Sequence, residues 1–597
     1  MADTEFTQPI SEQVWRAKYS LQQPGRRSEH TLAETRSRVA LALSAPEAHH
    51  RQQWLQSFEQ ALAGFRFLPG GRIMAGAGAG DDFTLFNCFV TGTMHDSIGG
   101  IFSTLAESML TLQAGGGIGC DFSTLRPAGA AVGEYGQQAT GPVRFLRVWE
   151  EACNALATRG PRRAAMMATL RCDHPDIEAF IDAGRDKKAL RHFNLSVLVT
   201  DAFMRAVADD GPWSLMFPVG GRPVPAGAAI WDRVWSGSIS PTPCMVTKTL
   251  PARELWERLC RAAFDCGDPG VLFIDRIAQD DNLYYGEPVS ATNPCGEVPL
   301  PPHGACNLGS INLTQFVLKP FTTSARLDMD GIRNMASVAV RMLDNVYDCS
   351  SFPLAAQKKA ARASRRIGLG ITGLADALAM LGVRYGSPPS LEVGDAVMRT
   401  ICLAAYERSV EMVAERGRFP AFRANSYLAG GFVRRLPESL QESIRLHGIH
   451  NSHLTAIAPA GSISLLANNV SSGIEPVYAF EGQRRISTRD GQVTSVPVQD
   501  HAWQLFRELH PGQPLPAAFV QAADVAPAEQ LKLQAACQAH VDQAVSKTIN
   551  LPAQSRYEDV RDLFNVAFEL GLKGCTMYRA GESSESILSC AKECSQT

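Results

Sequence analysis

Residues 293–313 read Asn293-Pro294-Cys295-Gly296-Glu297-Val298-Pro299-Leu300-Pro301-Pro302-His303-Gly304-Ala305-Cys306-Asn307-Leu308-Gly309-Ser310-Ile311-Asn312-Leu313. The first five place an amide and a carboxylate two positions either side of a thiol, while Pro294 and Gly296 exclude a regular helix. In an extended or looped backbone residues two apart share a face, so Asn293, Cys295 and Glu297 can converge on one side. Such a trio abstracts, donates and orients hydrogens on a small polar substrate. The plain alternative is a cysteine buried in a turn. Further on, Cys306 precedes an alternating run, Leu308 to Leu313, that reads as a strand.

Strand-like runs of this kind alternate with helical patterns along most of the chain. Leu195–Val199, Val271–Ile274 and Leu454–Ile457 read as strands, and 176–183, 251–265, 333–347, 393–415 and 561–571 as helices. That alternation predicts an α/β fold with buried strands, and by itself it does not separate a doubly wound sheet from a barrel. Ahead of it, residues 1–30 read as a loose polar terminus, and Thr31 to Leu62 as helical, with Trp54, Phe58 and Leu62 on one face. The run Met74 to Gly80 is too rich in glycine for a helix interior. Phe86–Val90 reads as a strand, and a helix is predicted to start near Asp96-Ser97.

Charge and cysteine usage narrow the function class. Among 597 residues, 57 Lys and Arg face 60 Asp and Glu, which leaves no global basic field for a nucleic-acid backbone. Apolar runs break well before the ~20 residues a membrane helix needs, and Met1–Ile10 lacks a leader pattern, so a cytoplasmic location is expected. Fifteen cysteines, an odd number at low density, suit reduced thiols rather than a disulfide scaffold.

Taken together, Asn293–Glu297 and Cys306–Leu313 resemble the catalytic chain of ribonucleotide reductases, in particular the adenosylcobalamin-dependent class II enzymes. Other segments agree in family order: Asn87–Val90, Gly115–Gly119, Arg162-Arg163 before Cys172–Ile177, Asn194–Val197, Arg366–Gly370, Ala458–Ser464, Gly473–Pro476 and Lys547–Pro552. The resemblance implies a ten-stranded α/β barrel, two five-stranded parallel halves set antiparallel, with the Cys295 loop as a central finger and a helical N-terminal region. It divides the chain into 1–65, a catalytic barrel over 66–580, and a tail over 581–597.

The resemblance also implies residue roles. Cys295 matches the thiyl-radical cysteine that removes the ribose 3'-hydrogen, Glu297 the base on the 3'-hydroxyl, and Asn293 the amide on the substrate hydroxyls. Cys88 and Cys306 resemble the pair that supplies two electrons and closes to a disulfide, and Cys590 and Cys594 a tail pair served by a thioredoxin-like reductant. Asn87, Gly117, Pro294 and Gly296 fall at substrate contacts, and Pro459, Ala460, Gly461, Ser462 and Ile463 at the phosphate loop. Small residues with a hydroxyl after a strand suit phosphate on their own account, though weakly. Asp96 and Ser97 resemble the site of a deoxynucleotide or ATP specificity effector at a homodimer interface, and Arg159, Arg162 and Arg163 the loop that relays it.

Tyr578 has no tyrosine beside it in sequence, so the relay of class I chains is missing and a local radical generator, adenosylcobalamin, is implied. No protein metal-ligand motif for it is present. The residues before the first family motif are too few for an overall activity domain, so specificity control is expected without on/off control. A class I large subunit and a non-catalytic nucleotide-binding homologue stay as alternatives. Phosphate number on the substrate is open.

Overall fold

Thr31 opens the long N-terminal helix of the computed structural model, which describes residues 5–22, 28–80, 84–132, 137–156, 165–185, 189–220, 224–487 and 493–579. The Thr31 hydroxyl accepts from the Glu34 N–H at 3.3 Å and the Glu34 carboxylate accepts from the Thr31 N–H at 3.1 Å, a reciprocal cap. Before it, Pro9–Val14 (α1) runs into a π-turn, Trp15–Tyr19, in place of the loose terminus expected over 1–30. Pro9 pre-sets the first turn, the Trp15 indole donates to Thr35 Oγ1 at 2.9 Å, and Ile10, Val14 and Trp15 are buried. Three apolar residues in so short a stretch gave no readable period. The run 31–62 is two helices, Leu32–Ser44 (α2) and Arg51–Leu62 (α3), because His50 takes a left-handed conformation (φ 55°) between them. Gly71–Gly76 (α4) is helical despite its glycines, with Ile73 and Met74 buried, so tertiary packing outweighs propensity there.

The barrel closes on itself. Cys88–Val90 (β1), Gly117–Asp121 (β2), Met166–Arg171 (β3), Phe193–Val199 (β4) and Gly270–Phe273 (β5) pair parallel in that order. Ala305–Asn312 (β6) pairs parallel with Ile367–Thr372 (β7), and Thr548–Leu551 (β8) with Gly574–Arg579 (β9). Between them, Thr455 bridges Leu369 and Ile457 bridges Val545, both parallel, so the Leu454–Ile457 run fills the remaining position. Two antiparallel seams, β1 with β6 and β5 with β9, join the halves. Crossover helices such as Ile98–Gln113 (α5) and Met329–Cys349 (α6) cover the outside. Alternate residues Cys88/Val90, Cys306/Leu308 and Ala456/Ala458 face inward, where they pack on Ala291, Val298 and Leu300 of the finger.

A buried ion network ties the N-terminal helices to α6. Arg341 and Arg416 bracket Glu47 at 2.6 and 2.9 Å, while Arg416, Arg365 and His450 surround Asp344 at 2.7, 2.9 and 3.1 Å. Burial pushes the Asp344 carboxyl up, but Arg365, His450 and Arg416 outweigh it and hold it well below the ordinary carboxylate range. A depressed folded value means stability that is full above the unfolded value and lost as pH falls through the folded one. Asp344→Asn should therefore destabilise the chain by about 3–5 kcal/mol near neutral pH and flatten the acid limb of its stability curve, read by urea unfolding across pH. Among the described residues no helix is long and apolar enough to cross a membrane.

Candidate active site

The finger is a hairpin, Ala291–Thr292 against Pro299–Leu300, whose loop is Asn293 to Val298. The Asn293 side chain builds the loop from inside: its Oδ1 accepts from the Val298 N–H at 2.9 Å, while Gly296 N–H donates to Asn293 O at 3.1 Å. Gly296 sits at φ 84°, a conformation that disfavours larger residues. The barrel holds the loop at both flanks, with Asn194 Nδ2 of β4 donating to Pro294 O at 2.8 Å and Ala544 N–H donating to Glu297 O at 3.0 Å. The glycines of β2 are fitted to it: a Cβ at Gly117 would stand 3.0 Å from Pro294 Cγ, and one at Gly119 only 1.9 Å from Thr292 O. Gly117 thus faces the finger at Pro294. Asn293 and Glu297 are 2% exposed, whereas Cys295 and Gly296 are partly exposed at the tip.

At the root of the finger, Cys88 and Cys306 are register partners across the β1–β6 seam. Directly opposed antiparallel residues have Cα atoms about 4.5–5.5 Å apart, inside the ~4.4–6.8 Å range of a disulfide. Neither is in a disulfide, and both face the lumen. Asn293 Nδ2 donates to Cys88 Sγ at 3.3 Å, which ties the finger loop directly to β1. Burial pushes the Cys306 thiol far above the ordinary range, Arg366 opposes it, and the charges of Asp542 and Glu297 add to it. The β6–β7 register sets Asn307 opposite Ile367, which leaves Arg366 beside Cys306. Arg366 is 1% exposed, donates to Pro299 O of the finger at 3.4 Å and pairs with Asp281 at 3.4 Å. Its place in a family motif was visible in the sequence, but its contact with the finger needed the fold.

A pocket opens beside this root. Its wall includes Ala458, Pro459, Ala460, Ser462 and Ile463, and it reaches Asn87, the neighbour of Cys88. Gly461 lies between them and starts the short helix Gly461–Leu466 (α7). Ser472 Oγ accepts from Ala460 N–H at 2.8 Å and from Gly461 N–H at 3.4 Å, fixing the turn. The opposite wall brings Lys18 and Tyr19, from the stretch that reads as a loose polar terminus, and Arg72, beside the glycine-rich run, none of which stands out in the sequence. Asn87 Oδ1 is buried. The structure therefore gathers Asn87, Cys88, Gly117, Asn293–Glu297, Cys306 and the 459–463 loop around one region.

Two sequence profiles match the chain: the ribonucleotide reductase all-alpha domain over residues 5–82 and the ribonucleotide reductase barrel domain over 86–578. The chain belongs to the ribonucleotide reductase family. Its similarity to the vitamin B12-dependent ribonucleoside-diphosphate reductase of Mycobacterium tuberculosis is 37% identity, covering 97% of this chain and 80% of the relative. To that of Thermoplasma acidophilum it is 32%, covering 90% and 66%. A ribonucleoside-diphosphate reductase subunit alpha from Chlamydia muridarum is 28% identical over 74% of this chain and 44% of its own. This ribonucleotide reductase accordingly stands with the vitamin B12-dependent class.

Asp96 and Ser97, expected at an effector site, are not among the residues that line the pocket. Ser97 caps α5, its hydroxyl accepting from Gly100 N–H at 3.1 Å, and Asp96 is held by Arg126 at 2.8 Å. Arg159, Arg162 and Arg163 lie outside the described residues, as do Cys590 and Cys594. Tyr578 is the penultimate residue of β9 and no tyrosine adjoins it in sequence; burial first, then the charge of Tyr578, raises the Tyr478 hydroxyl.

Proposed function

We propose that this chain reduces ribonucleoside diphosphates to 2'-deoxyribonucleotides by thiyl-radical chemistry, with adenosylcobalamin as the radical source. The observation that carries the reading is the Cys88–Cys306 register pair, bonded through Asn293 to the loop that presents Cys295 and Glu297. Cys295, oxidised to a thiyl, takes the 3'-hydrogen; Glu297 takes the 3'-hydroxyl proton; Asn293 and Asn87 orient the hydroxyls. Cys88 and Cys306 then give two electrons and two protons, so the 2'-hydroxyl leaves as water and one S–S bond forms. Cys295 finally returns its hydrogen to C3'.

Adenosylcobalamin, when bound, supplies the one-electron oxidant for the Cys295 thiol. The loop tip is accessible and has an apolar neighbour: Cys295 is partly exposed, and a Cβ at Gly296 would meet Leu272 Cδ2 at 4.0 Å. Anaerobic assay of the chain with a small dithiol should give turnover with adenosylcobalamin and none without it. A class I relay is the alternative reading, and Tyr578, with no tyrosine beside it in sequence, speaks against it. A strict need for iron and a second polypeptide would decide for that relay and against adenosylcobalamin.

The proposed partners are a thioredoxin-like reductant, reached through Cys590 and Cys594, and a second copy of the chain. Ile98, Phe102 and Leu110 on α5 are 67%, 49% and 49% exposed next to the Asp96-Ser97 effector residues. Three large apolar side chains along one helix suit a partner helix. Phe102→Glu should shift a dimer to monomer by light scattering and erase the effect of deoxynucleotides on base preference. A dimer that persists with regulation intact would place the effector elsewhere. The location is proposed to be cytoplasmic.

A further inference from the structure

The pocket beside the finger root has one wall from the barrel and one from the N-terminal helices, and the second is basic. Lys18 and Arg72 both line it and are 8% and 7% exposed. No carboxylate stands among the described residues that line it. The two walls meet where the Tyr19 hydroxyl lies 2.5 Å from Ser462 Oγ, inside the proposed phosphate loop. Glycines make the room: a Cβ at Gly115 would stand 2.5 Å from the Arg72 guanidinium carbon, and one at Gly71 would stand 3.3 Å from the Tyr19 hydroxyl. Two cations and paired hydroxyls facing one cavity, with no carboxylate among its described lining residues, make a site for a multiply charged oxyanion.

We infer that Lys18, Arg72 and Tyr19 hold the terminal phosphate of the substrate, so that the N-terminal helical region determines how many phosphates the enzyme accepts. The inference rests on the reading of the 459–463 loop as the phosphate site and adds to it a second, cationic half from another part of the chain. The loop supplies small residues, one hydroxyl and no charge, whereas a terminal phosphate carries about −1.5 to −2 near neutral pH. Lys18 and Arg72 match that charge. The Tyr19–Ser462 contact ties the walls together at the pocket, so an additional phosphate would have to part them. A diphosphate should therefore be preferred to a triphosphate of the same nucleoside.

The test measures binding of CDP, CTP and inorganic pyrophosphate by calorimetry on the full chain, together with KM and kcat for CDP reduction. Lys18→Met keeps the aliphatic stem and removes the charge. Lys18→Met and Arg72→Met should each weaken CDP and pyrophosphate about ten- to hundredfold, most of the loss in turnover falling on KM. Lys18→Arg should recover most of that affinity, and Tyr19→Phe should narrow the preference for CDP over CTP. Unchanged affinity, within about twofold, in a folded Lys18→Met chain would overturn the inference even if Arg72→Met fails to fold. Ala460→Glu separates it from the reading beneath. If that change abolishes CDP binding while Lys18→Met does not, the loop holds phosphate and the N-terminal wall does not; if Ala460→Glu also binds CDP normally, the phosphate loop itself is misplaced.

Discussion

Cys295→Ser is expected to stop ribonucleotide reduction, with turnover down by at least about 10⁴-fold, a barrier increase of ~5.4 kcal/mol, in a chain that still folds. The reason is chemical. A hydroxyl O–H bond is much stronger than a thiol S–H bond, so a serine at the same place cannot be oxidised by a generator matched to sulfur, nor take the 3'-hydrogen and return it. The structure explains why the fold should survive. Asn293 Oδ1 on Val298 N–H, Asn194 on Pro294 O and Ala544 N–H on Glu297 O hold the loop, and none involves the Cys295 side chain. Replacement of one sulfur by oxygen at a partly exposed tip is expected to change stability by no more than about 0.5 kcal/mol, checked by thermal unfolding. Binding of CDP should be unaltered by calorimetry. Turnover kept within about tenfold, ~1.4 kcal/mol, would remove Cys295 from the chemistry and leave it as a turn residue.

How far the sequence reached can be traced through particular residues. Strands with alternation or long apolar runs, such as β4, β5 and β6, were legible because burial on one or both faces imposes a period of two or a continuous apolar run. Residues 9–19 were misjudged because α1 and the π-turn are short and draw their stability from barrel contacts, such as Ser11 Oγ donating to Leu465 O at 2.7 Å. Met74 misled for the same reason, since local propensity argued against the helix that packing enforces. Closure of the ring was out of reach of periodicity: Leu454–Ile457 reads as an ordinary strand, and only its bridges to Leu369 and Val545 show that it completes a barrel. The site divides similarly. Asn293, Cys295 and Glu297 lie two apart, so local geometry was enough to expect them on one side of the loop; the structure buries Asn293 and Glu297 and leaves Cys295 partly exposed at the tip. Cys88 and Cys306 are far apart in sequence, and it took the family resemblance to pair them. Lys18, Arg72 and Arg366 acquire meaning only from what the fold sets opposite them.

Removing either member of that long-range pair should be nearly as damaging as removing Cys295. Cys88→Ser or Cys306→Ser is expected to lower steady-state turnover at least about 10³-fold, ~4 kcal/mol, with thioredoxin and with a small dithiol alike, because the two electrons then have no local source. In the parent chain, one turnover without external reductant should consume two thiols by titration. The environment of each sulfur also predicts how the disulfide reopens. A thiol exchange step expels the sulfur that better bears negative charge. Cys306 bears it poorly, since burial raises its thiol far above the ordinary range and Glu297 and Asp542 reinforce this against Arg366. Cys88 has the Asn293 Nδ2–H on its Sγ at 3.3 Å, a donor ready for a thiolate. The incoming thiolate should therefore bond to Cys306 and expel Cys88. Trapping the oxidised chain with a reductant that lacks its resolving cysteine should leave the mixed disulfide on Cys306 by peptide mass mapping, and Asn293→Ala should slow its formation. Trapping on Cys88 instead would reverse the two roles, and free thiols undiminished after a reductant-free turnover would mean that the pair is not the electron donor at all.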